Sequence, residues 1–293
     1  MTTAVPTDVD GLDALLRAGG YLPDQGLTTA AFIAMTLGQP LLLEGEVGVG
    51  KTELAKTLAS VFSRRLIRLQ CYEGIDTSQA LYEWDYARQM LQIRALSEHD
   101  LVGDDAVDSL FSEKFLLERP LLAAVRAGAD CVLLIDEVDR ADDEFEAFLL
   151  ELLSDFQVTI PEIGTIAATS RPLAVLTSNR TRELHDALKR RCLYHWIDYP
   201  SPEREEEIVR VRIPDVPQVL AAKAVAAVHR LRELDLAKPP GVAETLDWVR
   251  ALRAIGAEDV DTSIAEVTLG SVVKDREDLD VVQRRLEGIV GVG

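Results

Sequence analysis

Short apolar runs punctuate the first two thirds of the chain, and each ends on polar residues. Leu41-Leu42-Leu43 follows Pro40 and leads into Glu44, and Arg65–Cys71 alternates. Cys131-Val132-Leu133-Leu134-Ile135 ends at Asp136-Glu137, and the run from Arg171 through Leu173-Ala174-Val175-Leu176 ends at Asn179. Runs this short, apolar throughout and without a 3.6-residue period, predict buried strands of a parallel sheet. Between them the period changes to that of helices. Leu12, Leu15 and Leu16 fit a helix ending at Gly19-Gly20. Gly26–Leu37 carries Ala30, Phe32, Ile33 and Leu37, with Thr28 or Thr29 near its start. Glu53–Ala59 has Leu54 and Leu58 four apart, and Glu144–Phe156 is rich in Phe and Leu. Gln157–Ala168 alternates but is broken by Pro161-Glu162-Ile163-Gly164, which predicts a β-hairpin near 157–169. After Tyr199-Pro200-Ser201-Pro202 the strands stop. Glu203–Arg212, Gln218–Leu234 and Val242–Ile255 read as helices, with Lys238-Pro239-Pro240-Gly241 as a break. The pattern predicts an α/β domain over residues 1–199, a parallel sheet between helices, and a smaller helical domain over 200–293.

Composition narrows the setting. The 293 residues are 47% hydrophobic, enough for a sizeable core, and carry a formal net charge of −19. No basic stripe is visible, which argues against a nucleic-acid partner. Cys71, Cys131 and Cys192 lie far apart, an odd number with no C-x-x-C pair, as expected of reduced thiols in the cytoplasm. Met1–Asp10 is polar and acidic, unlike a signal peptide. No apolar run approaches membrane-spanning length, so no direct membrane insertion is expected. His99, His185, His195 and His229 are scattered and give no metal-ligand spacing.

The chemistry begins directly after the first apolar run. Gly45-Glu46-Val47-Gly48-Val49-Gly50-Lys51-Thr52 fills every fixed position of the P-loop pattern G-x-x-x-x-G-K-[ST], between a strand and a helix that starts near Glu53. Glycines allow backbone N–H groups to turn inward around phosphates, and the following helix points its positive end at the same anion. Lys51 is expected to reach the β/γ-phosphates of ATP and Thr52 to ligate Mg²⁺. The second chemical stretch is Asp136-Glu137. Two carboxylates at the end of a buried strand are costly without a cation or polar partners. Downstream of a P-loop, Asp136 is expected to hold Mg²⁺ through its water shell and Glu137 to polarise the attacking water. Tyr21–Leu27 either grips the nucleotide base or fills core. Leu81-Tyr82-Glu83-Trp84-Asp85-Tyr86, aromatics among acids, reads as an exposed partner-gripping loop or as a core-covering helix, with the exposed reading preferred. Glu98–Asp108 reads as solvated.

GEVGVGKT followed at this spacing by CVLLIDEVDRA resembles the AAA+ ATPase superfamily. FLLELLSDFQVTI and the hairpin after it are similar to MoxR-type ATPases of the helix-2-insert clade, whose insert projects toward the pore of a ring. The resemblance implies that Asn179 is the sensor-1 amide that places the water. It also makes Ala187-Leu188-Lys189-Arg190-Arg191-Cys192 the arginine-finger segment, with Arg191 the better match and Arg190 the runner-up. The family's sensor-2 arginine, expected just after Gly241, is missing from Gly241-Val242-Ala243-Glu244-Thr245. QCYEGIDTSQALYEWDY, ALKRRCLYHWIDYP and KPPGVAETLDW look like the subgroup associated with carbon monoxide dehydrogenase-type molybdenum hydroxylases. That resemblance, running from about Gly26 to Ile255, implies a homo-oligomeric, most often hexameric, ring. It further implies a von Willebrand A (VWA) domain partner and a client metalloenzyme whose metal site is matured. The alternatives are a slow nucleotide switch that recruits the VWA protein and, less in keeping with the charge, a nucleic-acid motor.

Overall fold

A computed structural model of the chain describes residues 6–97 and 109–291. Helix α1 spans Val9–Ala18 and α2 Gln25–Leu37, followed by strand β1, Leu41–Gly45, and helix α3, Lys51–Val61. Asp24 caps α2 by accepting from Leu27 N at 2.7 Å, so the cap lies upstream of the two threonines. Strand β2 is Arg65–Gln70, ahead of the short helix α4 at Thr77–Ala80 and strand β3 at Tyr82–Trp84. Then come helix α5 at Tyr86–Ser97, β4 at Leu116–Glu118 and α6 at Pro120–Ala127. Strand β5, Cys131–Asp136, leads to α7, Asp143–Asp155, the hairpin strands β6, Gln157–Ile160, and β7, Gly164–Ala167, and then β8, Leu173–Ser178. Helix α8, Asp186–Arg191, and β9, Leu193–Ile197, follow.

The main sheet has the order β2-β5-β8-β1-β9. β1, β5 and β8 are buried at every position, as expected where helices cover both faces. The registers set Glu44 beside Ser178, Ile135 beside Leu176 and Gln70 beside Asp136, so the polar ends of the apolar runs align at one edge. The hairpin forms where the broken alternation placed it, with Val158 and Ile160 buried and Gly164 at φ 98° in the turn. It follows α7 instead of interrupting it: Ala168 N closes on Phe156 O, and Phe156, in the left-handed region at φ 48°, ends the helix. A second antiparallel pair, β3–β4, lies between β2 and α6.

The aromatic stretch corrects the exposed reading. Leu81 and Trp84 are buried, Trp84 packing edge-on against Phe111 at 5.4 Å, whereas Tyr86 is exposed at the start of α5. Within the three-residue strand the alternation turns Trp84 inward and Glu83 outward, whereas Tyr86 lies beyond the strand, at the start of α5. Glu98–Asp108 and His99 lie outside the described residues.

By backbone proximity the chain divides into two compact units. One comprises Met1–Leu15, Pro23–Glu44 and Leu54–His195 and holds the sheet core. The other comprises Leu16–Leu22, Gly45–Glu53 and Trp196–Gly293, so the phosphate-loop segment groups with the helices. Those helices are α9, Pro202–Arg212; α10, Gln218–Arg232; α11, Val242–Ala254; α12, Thr262–Thr268; α13, Arg276–Gln283; and α14, Leu286–Val290. Their core gathers Val209, Leu220, Val225, Val228, Trp248 and Leu252.

A buried polar knot ties α9, α10 and α11 together. Glu205, with 0% exposure, accepts from Arg232 at 2.6 and 2.8 Å and from the Thr245 hydroxyl at 2.5 Å, and lies 2.9 Å from His229 Nε2. Arg232 also donates to Pro240 O at 2.7 Å and stacks 4.5 Å from the Tyr199 ring centroid. Four contacts from three residues around one carboxylate satisfy the charge that burial would otherwise make prohibitive.

Candidate functional site

The phosphate loop is shaped by its glycines. Gly45, Gly48 and Gly50 have φ of 156°, 79° and 98°, a backbone that side-chain-bearing residues rarely adopt. A Cβ on Gly45 would lie 2.3 Å from Ile197 O, so glycine is also demanded there by close approach. Lys51 opens α3 and is 6% exposed, its Nζ donating to Gly45 O and Glu46 O at 2.7 Å each. The ammonium is thereby folded back into the loop it follows. Glu46 and Val47 are exposed, Val49 is buried and Thr52 is half-buried on the first turn of α3. Glu53 pairs with Arg212 at 2.9 Å. Tyr21 is 9% exposed with its ring 3.7 Å from where a Gly50 Cβ would stand. Tyr21, from the segment with a base-gripping or core role, thus packs beside the loop itself. Three left-handed glycines, a lysine and a threonine at a helix start form a cradle that fits a nucleotide's phosphates.

In the sheet unit, β5 and β8 bring the acids and the amide to neighbouring strand ends. Asp136 is 3% exposed; its Oδ1 accepts from the Thr177 hydroxyl at 2.5 Å and its Oδ2 from Arg68 Nε at 3.0 Å and Nη2 at 2.6 Å. Thr177 also accepts from Glu137 N at 2.9 Å, so one hydroxyl fixes both acidic residues. Glu137 sits in the left-handed region at φ 53°, which turns its side chain off the strand, and its carboxylate meets Arg140 at 3.1 Å. Asn179 is half-buried at the end of β8. Its backbone is pinned on both sides: Ser178 donates to buried Glu44 at 3.0 Å, and Arg180 N, at φ 55°, donates to Ser178 Oγ at 3.1 Å. The acidity of this strand edge registers on Cys71, whose thiol is pushed up to about 12 by burial first and then by Asp136, Asp139, Glu137 and Glu146.

The arginines follow on α8. Arg190 and Arg191 are both exposed, and Arg191 donates to Ser154 Oγ near the end of α7. Among the described residues Arg190 carries no ion pair. An open cleft of about 800 Å³ lies beyond Glu137, lined by Asp139, Arg140, Asp142, Thr181 and Arg182 among others. Arg182 braces it, donating to Ala141 O and pairing with buried Glu146. Arg68, Thr177, Arg140 and Glu44 were not apparent as site residues. Their partners lie 68, 41, 3 and 134 residues away, and only the Arg140–Glu137 spacing could have flagged one of them. His229 is placed in the Glu205 knot and His185 is 57% exposed. Among the described residues no helix is long and apolar enough to cross a membrane.

Comparisons with known proteins agree with this geometry. Residues 40–192 match the family described as AAA domain (dynein-related subfamily). The chain is 27% identical over 280 residues to the gas vesicle ATPase GvpN of Haloferax mediterranei, covering 88% of this chain and 76% of that protein. It is 28% identical over 197 residues to the protein NorQ of Paracoccus denitrificans, covering 64% of this chain and 63% of NorQ. A chaperone protein ClpB of Corynebacterium diphtheriae is 27% identical over 92% of this chain, which spans 30% of ClpB. Among solved structures, a point mutant of RuvB from Thermotoga maritima superposes with a TM-score of 0.50 at 18% identity, covering 98% of this chain and 81% of that one, a likeness of fold.

Proposed function

The chain belongs to the dynein-related AAA domain family and is a MoxR-type AAA+ ATP hydrolase, and from that premise we propose that it couples ATP hydrolysis to remodelling of a client metalloenzyme. The client class is a molybdenum hydroxylase of the carbon monoxide dehydrogenase type, whose metal cofactor is matured with a VWA-domain protein. The setting is the cytoplasm, and the working form is a homo-oligomeric, hexameric ring. The sequence stretches that resemble that subgroup support this client class. The observation that carries the hydrolytic mechanism is the single Thr177 hydroxyl that orients Asp136 and presents Glu137 off the strand end.

The residues divide the work as follows. The backbone of Gly45–Gly50 cradles the phosphates and Lys51 leaves its two carbonyls for their oxygens. Mg²⁺ bound with the triphosphate supplies charge neutralisation, with Thr52 and Asp136 to hold it. Both Asp136 oxygens already accept hydrogen bonds, so Asp136 acts through water. Glu137 takes the proton of the attacking water once it swings from Arg140, and Asn179, on its pinned backbone, orients that water. An arginine of a neighbouring copy stabilises the transferring charge. Arg191 matches the family position, whereas exposed Arg190 is unencumbered, so each is varied singly.

The test mixes two dead variants. Glu137→Gln retains nucleotide binding and loses turnover by about a hundredfold or more, and Arg191→Ala assembles but is inactive. Mixing the two restores part of the activity, because an intact finger then faces an intact Glu137. Normal turnover by Glu137→Gln sinks the base assignment. No recovery on mixing, with either arginine variant, sinks the shared site. Turnover that is slow and indifferent to the VWA protein favours the switch reading.

A further inference from the structure

The family's lid arginine is missing just after Gly241, and the same helix start carries an acid, Glu244, three positions after that glycine. The start of α11 packs directly on the phosphate loop: Ala243 N donates to Gly48 O at 3.2 Å. The approach is backbone to backbone, for a Cβ on Gly241 would lie 2.5 Å from Val47 O and 2.8 Å from Gly48 Cα. Gly241 has φ −85° and ψ −175°, a conformation open to any residue, so it is closeness and not torsion that requires glycine. On this contact sits Glu244. Its Oε2 accepts from Gly241 N at 2.9 Å and is 2.8 Å from where a Gly48 Cβ would stand.

A helix start aimed at a phosphate loop would ordinarily favour an anion. Here part of that advantage is consumed. The N–H groups of Gly241 and Ala243 are taken by Glu244 and by Gly48, and the capping carboxylate offsets the positive end of the helix. Exposed Glu46, on the loop itself, adds a second negative group. We infer that Glu244 is an affinity-setting residue that opposes the triphosphate, so that this ATPase holds its nucleotide loosely and exchanges it readily. The lid thus weakens the grip where an arginine would strengthen it.

The test is binding of a non-hydrolysable ATP analogue and of ADP to the full chain and to Glu244→Gln. The amide keeps the oxygen that caps Gly241 N and loses only the charge. The variant binds the analogue about fivefold more tightly, with a smaller gain for ADP, and the gain shrinks between about 0.05 and about 0.5 M KCl as the charge is screened. Asp247→Asn, an exposed acid on the same helix, changes neither affinity. Unchanged or weaker binding by Glu244→Gln overturns the inference. So does a gain indifferent to salt, which marks a packing effect, or an equal gain in Asp247→Asn, which marks a nonspecific charge effect. A wild-type chain that binds neither nucleotide overturns the phosphate-loop reading and this inference together.

Discussion

Replacing Arg232 with methionine keeps most of the side-chain volume and removes the charge that balances Glu205. That carboxylate has no solvent exposure and would be left with only the Thr245 hydroxyl and His229. Removing one member of a buried pair costs about 3–5 kcal/mol, because the remaining charge stays desolvated. The lost bond to Pro240 O adds a further penalty of about 1 kcal/mol. Against a total stability of roughly 5–15 kcal/mol this is a large fraction. Urea unfolding followed by tryptophan fluorescence, to which buried Trp248 contributes, measures it. The reasoning makes a second demand. Changing both partners, Arg232→Met with Glu205→Met, removes the charge and its counter-charge and recovers most of the loss, since apolar substitution of an entire buried pair is often neutral. A loss below about 1 kcal/mol in the single variant, or no recovery in the double, refutes the account of the knot.

Two other outcomes are expected. Gly45→Ala places a methyl 2.3 Å from Ile197 O at a φ of 156°, so it abolishes ATPase activity and lowers the unfolding midpoint, whereas an active, equally stable variant contradicts the close approach. The Cys71 and Cys192 thiols, both raised to about 12 chiefly by burial, stay protonated in the fold. Their folded values lie above those of the unfolded chain, so unfolding releases protons and stability falls as pH climbs from about 8.5 toward those values. Alkylation at pH 8.5 is accordingly slow in the native chain and fast after denaturation.

The sequence made the middle of the sheet legible because β1, β5 and β8 are buried on both faces and read as short, largely apolar runs with polar stops. The phosphate loop was legible for a different reason: its glycines are demanded by the backbone, and their spacing survives in one dimension. What stayed hidden depends on distance. Arg68 reads as an ordinary outward position of an alternating strand until β5 sets Asp136 beside β2. Thr177 reads as a strand residue until its hydroxyl meets two acids 40 and 41 positions away. Trp84 and Tyr86 share one motif but part company because a three-residue strand sends Trp84 into the core. Gly241 looked like a helix-breaking glycine, and only its approach to Val47 and Gly48 gives it a second purpose.

The pairing of β1 with β8 has a consequence for synthesis of the chain. Glu44 and its sheet neighbour Ser178 are 134 residues apart, so β1, five residues all buried in the finished sheet, leaves the ribosome long before β8 exists. At roughly 5–20 residues per second that interval is on the order of ten seconds. Throughout it a fully buried strand lacks the sheet neighbour that completes it. The helices after Tyr199, whose contacts are mostly local, face no such wait. This ATPase is therefore itself a chain in need of shelter while it is made, and its nucleotide site is among the last parts to form.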